Sequence, residues 1–552
     1  MLEFGPFRLD PGKRVLWRGG EIVALPPKAL DLLVALAEQQ GDVVRKQDLM
    51  ARVWPDTVVE EANLSVNVSI LRKVLGKRED GSPWIQTIPR RGYRFVAEPG
   101  PAEAAGPASL AVLPFEELVP DSERSFLGVG MADTLITRLA STGQVVVRPT
   151  GSVLKYAGSR ADPREAGREL RVDAVVHGTI QRQGQRLRVG VQLVPLRASV
   201  AAWAETFDED LGDLFAVQDA VAERVARALC LRLGPPEKQL LSKRHTADVS
   251  AYQSYAQGRY FWSRLSGGSM AKAFECFQEA ARRDPLYALP HAGLADGYVV
   301  LGFSGIVAPS EAWPLASAAA RRALELDESV ADAHICLAYV GLFQDWDWPL
   351  ADAELQRACA LGENSPACHQ WRGLYLDLLG QLDEADREIE RARALDPVSL
   401  IASTLAGLQR YLARDFEGEL AQHRRTVELD PHQFVGHWGL GLACVHAGRH
   451  DEALGELRLA LELSEGSPFM KAVLGWALAS TGRKTEARAV IDDMLASGPV
   501  SSYQRATIHA ALDEAGAALD CLERACEERD PWVVWLRVDP MLDRLRPDPR
   551  FS

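Results

Sequence analysis

The segment Glu60 to Leu75, EEANLSVNVSILRKVL, has helical periodicity. Leu64, Val68, Leu71 and Leu75 fall on one face and should pack inward. The other face presents Asn63, Val66, Asn67, Ile70 and Lys73, with Ser69 and Arg72 at its margin. A short amide can read an adenine edge, an apolar side chain can touch a thymine methyl, and Arg or Lys can reach phosphate. Downstream, Trp84 to Phe95 reads WIQTIPRRGYRF: strand, tight basic turn, strand. Arg90, Arg91 and Arg94 cluster at the tip, Gly92 allows the turn, and Tyr93 braces it. Such a tip is placed to grip the phosphate backbone or the neighbouring minor groove. An amphipathic surface helix would account for the first segment alone. The two segments together point to duplex DNA.

Catalytic patterns are missing from the sequence. It contains no G-x-x-x-x-G-K-[ST], no H-E-x-x-H and no G-x-S-x-G. None of the 8 cysteines forms a C-x-x-C pair, and most lie in apolar helical stretches, which reads as buried free thiols in a reducing cytosol. Cys368 and His369 are adjacent, but neighbours on a helix point in different directions. The acidic group Asp208, Glu209, Asp210 and Asp213 reads as a solvated strand end and helix start, not a cation site. Neither an enzyme nor a metal or cofactor site is expected.

The elements that must position these side chains surround them. Strand-like pieces at 3–9, 14–17 and 21–24 open the chain. A helix from Pro27 to Gln40, with Leu30, Leu33, Val34 and Ala37 inward, and a shorter one from Arg45 to Val53 precede the Glu60–Leu75 segment. With this context the first ~100 residues resemble the OmpR-type winged helix-turn-helix of bacterial transcriptional regulators. The matching motifs are LPPKALDLL, NLSVNVSILRK and IPRRGYRF. The resemblance implies a recognition helix that uses Asn63, Asn67, Ile70 and Lys73 in the major groove, with Arg72 on phosphate. It also implies wing contacts from Arg91 and Arg94, and binding of a homodimer to promoter half-sites. No phosphate-accepting receiver precedes this head and no membrane helix follows it, so its signal must arrive through the rest of the chain.

The remainder divides by composition. Residues 1–98 form the head and a Pro/Gly/Ala spacer covers 99–108. Residues 109–235 alternate strand and helix and resemble the amino-terminal domain of TolB in SLAVLPFEEL, GMADTL, VDAVVHGTIQRQGQRLRVGVQLV and WAETFDEDLGDLFAVQD. Residues 248–549 are helical, and Leu361, Leu395, Leu429 and Leu463 recur every 34 residues in equivalent strings. That is the tetratricopeptide period, with about six to eight copies expected when degenerate ones are counted. The fold class is therefore multidomain: an α+β winged helix, a small α/β domain and an all-α repeat solenoid. Stacked repeats offer a concave groove for a protein or peptide partner.

Charge is divided in the same way. The chain carries −14 overall, but the head is +2 and the rest −16. A mildly basic head on an acidic body suits local DNA contact and opposes indiscriminate sticking. With no signal peptide and no long apolar run, a cytoplasmic protein without membrane contact is expected. The alternative is a repeat scaffold whose head no longer reads DNA, because Glu60 and Glu61 at the start of the recognition helix would repel phosphate.

Overall fold

The computed structural model describes residues 2–551 except 5–6, 11–12, 19–20, 38–42, 55–58, 60, 77–82, 89–90, 96–107, 119–125, 159–160, 184–185, 197–202, 211–213, 230, 232–233, 263–266, 304–305 and 498–500. Residues 99–107 of the spacer, Glu60, Arg90 and Asp213 thus lie outside the described residues. Two compact units make up the chain, 1–106 and 107–552.

In the first unit, β1 (Leu2–Phe4), β2 (Phe7–Asp10), β3 (Val15–Arg18) and β4 (Glu21–Ile22) form an antiparallel sheet in that order. Then come α1 (Pro27–Ala37), β5 (Val43–Arg45), α2 (Lys46–Val53), α3 (Glu61–Leu75), β6 (Ile85–Ile88) and β7 (Gly92–Phe95). Strand β5 has no counterpart in the sequence reading. It pairs with β7, so the wing is a three-stranded sheet in the order β5-β7-β6. Of the residues expected inward on α1, Leu33 and Ala37 are buried and Leu30 and Val34 half-buried, while Ala29, Leu32 and Leu36 are fully buried as well. In α3 the expected inner residues Leu64, Val68, Leu71 and Leu75 are all buried against Leu32, Leu33, Leu36, Leu49 and Val53.

The second unit opens with a mixed sheet. Its strands are β8 (Ser109–Val112), β9 (Glu116–Glu117), β10 (Val146–Val147), β11 (Ala174–Gln183), β12 (Arg186–Pro195) and β13 (Trp203–Asp210). The order is β10-β8-β11-β12-β13, with β9 beside β11; the first three pair in parallel and the last three antiparallel. Helices α4 (Leu127–Ala140), α5 (Thr150–Val153), α6 (Pro163–Glu169), α7 (Leu214–Ala228) and α8 (Pro235–Leu241) complete this part. The acidic strand end has a structural account, because Asp208 bonds Arg186 at 3.2 Å and Arg188 at 2.6 Å across the sheet.

Eight helix pairs follow: α9 (Val249–Trp262) with α10 (Gly267–Arg283), α11 (Ala288–Phe303) with α12 (Pro309–Leu326), α13 (Ala331–Tyr339) with α14 (Trp348–Leu361), and α15 (Pro366–Leu378) with α16 (Leu382–Leu395). The rest are α17 (Leu400–Leu412) with α18 (Phe416–Leu429), α19 (Phe434–His446) with α20 (His450–Leu463), α21 (Pro468–Ser480) with α22 (Lys484–Ser497), and α23 (Ser502–Ala511) with α24 (Ala515–Glu527). First helices begin at Pro366, Leu400, Phe434, Pro468 and Ser502, a step of 34 residues. Close approach within a pair does not rest on Gly380 or Gly448, which have positive φ and open space around them, but on other glycines. At Gly373 a Cβ would lie 2.6 Å from Ile389 Cγ1, and at Gly441 2.5 Å from Leu457 Cγ. The α/β part docks on the repeats: Arg148, buried, donates to Leu170 O, Arg171 O and Leu395 O, and Ser152 Oγ donates to Asp396 at 2.6 Å.

One buried acid sets a pH dependence. Asp377 in α15 is fully buried, and neither carboxylate oxygen makes a well-formed hydrogen bond among the described residues. Burial pushes its pKa up to about 8 despite the nearby Gln409 amide. Because the native pKa exceeds the ordinary carboxylate value, the protonated acid is the native form. Its stabilising contribution is present below about pH 4 and is lost as pH rises through the native value. Asp377→Asn should nearly match the parent chain in urea unfolding at about pH 4 and exceed it at pH 8 by about 5 kcal/mol. Equal midpoints at pH 8 would show that the acid is solvated.

Candidate nucleic-acid interface

Helix α3 turns its outer face to solvent. Asn63, Ser65, Val66, Ser69 and Lys73 are exposed, and Asn67, Ile70 and Arg72 are half-buried. Val66 is 55% exposed, an apolar group left in water on a polar face, as a methyl-reading contact needs. Ser65 was not singled out from the sequence, although it lies between Asn63 and Val66 in the quoted motif. Its hydroxyl lies 3.5 Å from that of Tyr93. Asn67 folds back along its own helix, with Nδ2 donating to Asn63 O at 2.8 Å. Reading a base would require it to exchange that bond for one to DNA.

The basic residues are deployed differently from one another. Arg72 donates from Nε to Ile85 O and from Nη2 to Thr87 Oγ1, both at 2.8 Å. It therefore clamps α3 to β6, with two of its N–H groups committed to that task. Lys73, one residue on, is exposed in the last helical turn, where a cation also complements the helix dipole. Of the expected tip cluster, Arg91 and Arg94 fall among the described residues. Arg91 is exposed in the turn after β6, its N–H donating to Ile88 O at 3.0 Å. Arg94 lies within β7 opposite Gln86, half-buried, with Nη2 donating to Gln86 Oε1 at 3.2 Å. The alternation of a strand puts residues 91 and 94 on different ground, and the third arginine, Arg90, is outside the described residues. Tyr93 is buried and braces the sheet against α3, not the turn.

Gly92 begins β7, the middle strand, and its neighbour there is the backbone of β5. A Cβ at this position would lie 1.9 Å from Val44 O. The glycine is thus required by strand packing more than by the turn.

This arrangement, a helix-turn-helix core with an outward polar-apolar helix and a sheet wing clamped beside it, agrees with the comparison to known families. Residues 19–95 match the family described as "Transcriptional regulatory protein, C terminal". The head is an OmpR-type winged helix. Among curated relatives, the protein provisionally named adenylate cyclase 3 of Rhizobium meliloti (strain 1021) is 31% identical over 206 residues, which is 37% of this chain and 35% of that protein. Transcriptional regulator HilA of Salmonella typhimurium is 25% identical over 321 residues, 57% of this chain and 56% of HilA. This chain therefore spans about a third of the first relative's length and just over half of the second's. The crystal structure of the DNA-binding domain of CpxR from E. coli is 32% identical to this chain, covering 17% of it and 95% of that domain, with a TM-score of 0.16.

Proposed function

We propose that this chain is a one-component, sequence-specific transcriptional regulator acting in the cytoplasm. The observation that carries the reading is the winged head: an α3 face of exposed Asn63, Val66, Ser69 and Lys73, locked through Arg72 to a wing whose turn exposes Arg91. Two copies on paired half-sites supply the affinity that a head of net charge +2 does not supply by bulk electrostatics. The signal enters through residues 109–235 or the repeats, as a small ligand or a protein partner, and the chemistry is binding and not catalysis. Among the described residues no helix is long and apolar enough to cross a membrane.

Gel shift of the full chain on DNA from its own and neighbouring promoters tests this reading. A specific, salt-sensitive complex is expected; its absence would leave the repeat scaffold with an inactive head as the better description. Asn67→Ala should relax preference at one base position, costing about 1–3 kcal/mol there. Arg91→Ala should weaken all sequences alike and lower the salt slope by about one unit. An unchanged slope would remove the wing from the phosphate contacts.

A further inference from the structure

The hairpin between α14 and α15 brings together three side chains that the adjacency argument for residues 368 and 369 had set apart. Cys359 lies in the last turn of α14, and Cys368 and His369 in the first turn of α15. The two sulfurs and an imidazole nitrogen all lie within 4.8 Å of one another. Cys368 is fully buried and His369 nearly so, while Cys359 is half-buried and gives the cluster a solvent side.

The solenoid supplies its own comparison. At His437, 68 residues on, the imidazole makes the same kind of contacts as His369. Nδ1 lies 2.6 Å from a glutamate of the paired helix, Glu456, and Nε2 lies 2.9 Å from a backbone carbonyl, Pro431 O. His369 has Nδ1 at 2.6 Å from Glu388 and Nε2 at 3.1 Å from Glu363 O. His334 repeats the pattern with Glu354 and Glu328 O. The repeat architecture therefore fixes the ring. The sulfurs are the difference, because the positions equivalent to Cys359 and Cys368 beside His437 hold Val427 and Gly436. Beside His369 there is one further contact, Arg391 Nε at 3.1 Å from His369 Nε2; in the tautomer whose proton sits on Nδ1 toward Glu388, Nε2 offers a lone pair.

We propose that Cys359, Cys368 and His369 bind a zinc ion, with the fourth coordination position open to solvent. Two thiolates and an imidazole form the borderline-soft set that selects Zn²⁺ over oxygen-seeking Mg²⁺ or Ca²⁺. The Glu388 carboxylate on Nδ1 orients the ring so that Nε2 can face the metal, the usual outer-shell partner of a ligating histidine. On binding, both S–H protons leave to solvent, two Zn–S bonds form, and Arg391, itself half-exposed, gives up its place on Nε2.

Metal-free full chain titrated with Co²⁺ tests the site. Expected are a thiolate-to-cobalt charge-transfer band and the visible bands of a tetrahedral ion, saturating at one per chain and erased by equimolar Zn²⁺. Cys359→Ser, a half-buried and mild change, should abolish the charge-transfer band, and Glu388→Gln should weaken binding about 10- to 100-fold. Cys444→Ser, a buried thiol elsewhere, should leave both unchanged. No bands in the parent chain, or bands that persist in Cys359→Ser, would overturn the assignment, and neither result would bear on DNA binding by the head.

Discussion

Gly92→Ala is expected to abolish specific DNA binding by unfolding the wing. The added Cβ would meet Val44 O at 1.9 Å, Val44 C at 2.8 Å and Arg45 Cα at 2.9 Å. All three are backbone atoms, so no side chain can swing aside to make room. Relief requires β7 to move away from β5, which breaks the Val44–Tyr93 and Arg45–Gly92 pairings. Because β7 is the central strand, the same movement disturbs β6 and the buried Tyr93 and Phe95. Overpacking and the strain of an alanine at φ +155 together cost about 3 kcal/mol or more, a large share of the ~5–15 kcal/mol a domain has. Gly76 is the control. It follows α3 with φ +69 and has nothing within 4 Å of its Cβ position, so its alanine variant should cost only about 1 kcal/mol and still bind. Hydrogen exchange over residues 43–95, measured beside a gel shift, separates the two. Wild-type protection in Gly92→Ala would refute the packing argument.

The head was legible in sequence wherever one face is buried and the period is helical. The inward residues of α3 are set by 3.6-residue spacing and are buried as expected. The face of α1 was less legible because its apolar residues run nearly all the way round, so periodicity did not choose among Leu30, Leu32, Leu33 and Leu36. The three-residue strand β5 is too short to show alternation, and only its pairing with β7 reveals it. That pairing in turn explains Gly92, which the local string assigned to a turn. The roles of Arg72 and Arg94 were unreadable for a related reason. Their partners, Ile85 O, Thr87 and Gln86, lie across a sheet whose register is not written in either segment alone. In the solenoid, the 34-residue step announced the repeats. Nothing periodic announced what the chain does after α24.

That last segment leads to the second large effect: Asp539→Ala should lower the stability of the solenoid by about 2–6 kcal/mol, since it orphans two buried hydroxyls at about 1–3 kcal/mol each. Tyr411 Oη donates to Asp539 Oδ1 at 2.5 Å and Tyr503 Oη to Oδ2 at 2.8 Å, joining α17 and α23 through one carboxylate. Nearby, Trp532 packs between Phe303 of α11 and Phe469 of α21, at 4.4 and 4.9 Å between ring centres. Arg529 donates to Gln344 O and lies over Trp346, in the stretch between α13 and α14. The tail thus runs along the first helices of several repeats. Magnitudes decide whether a partner could displace it. Val534, Trp535, Leu542 and Leu545 are all buried. At about 1.5–3 kcal/mol each they amount to roughly 6–12 kcal/mol, comparable to or above the ~8 kcal/mol of a micromolar peptide. Displacement would therefore consume the affinity it is meant to report, and a partner of the repeats is expected to bind with the tail in place. Truncation after residue 528 discriminates. If the tail closes the core, the shortened chain loses cooperative unfolding and aggregates. A truncated chain as stable as the parent would mean instead that the segment is a removable ligand and the groove is open to others.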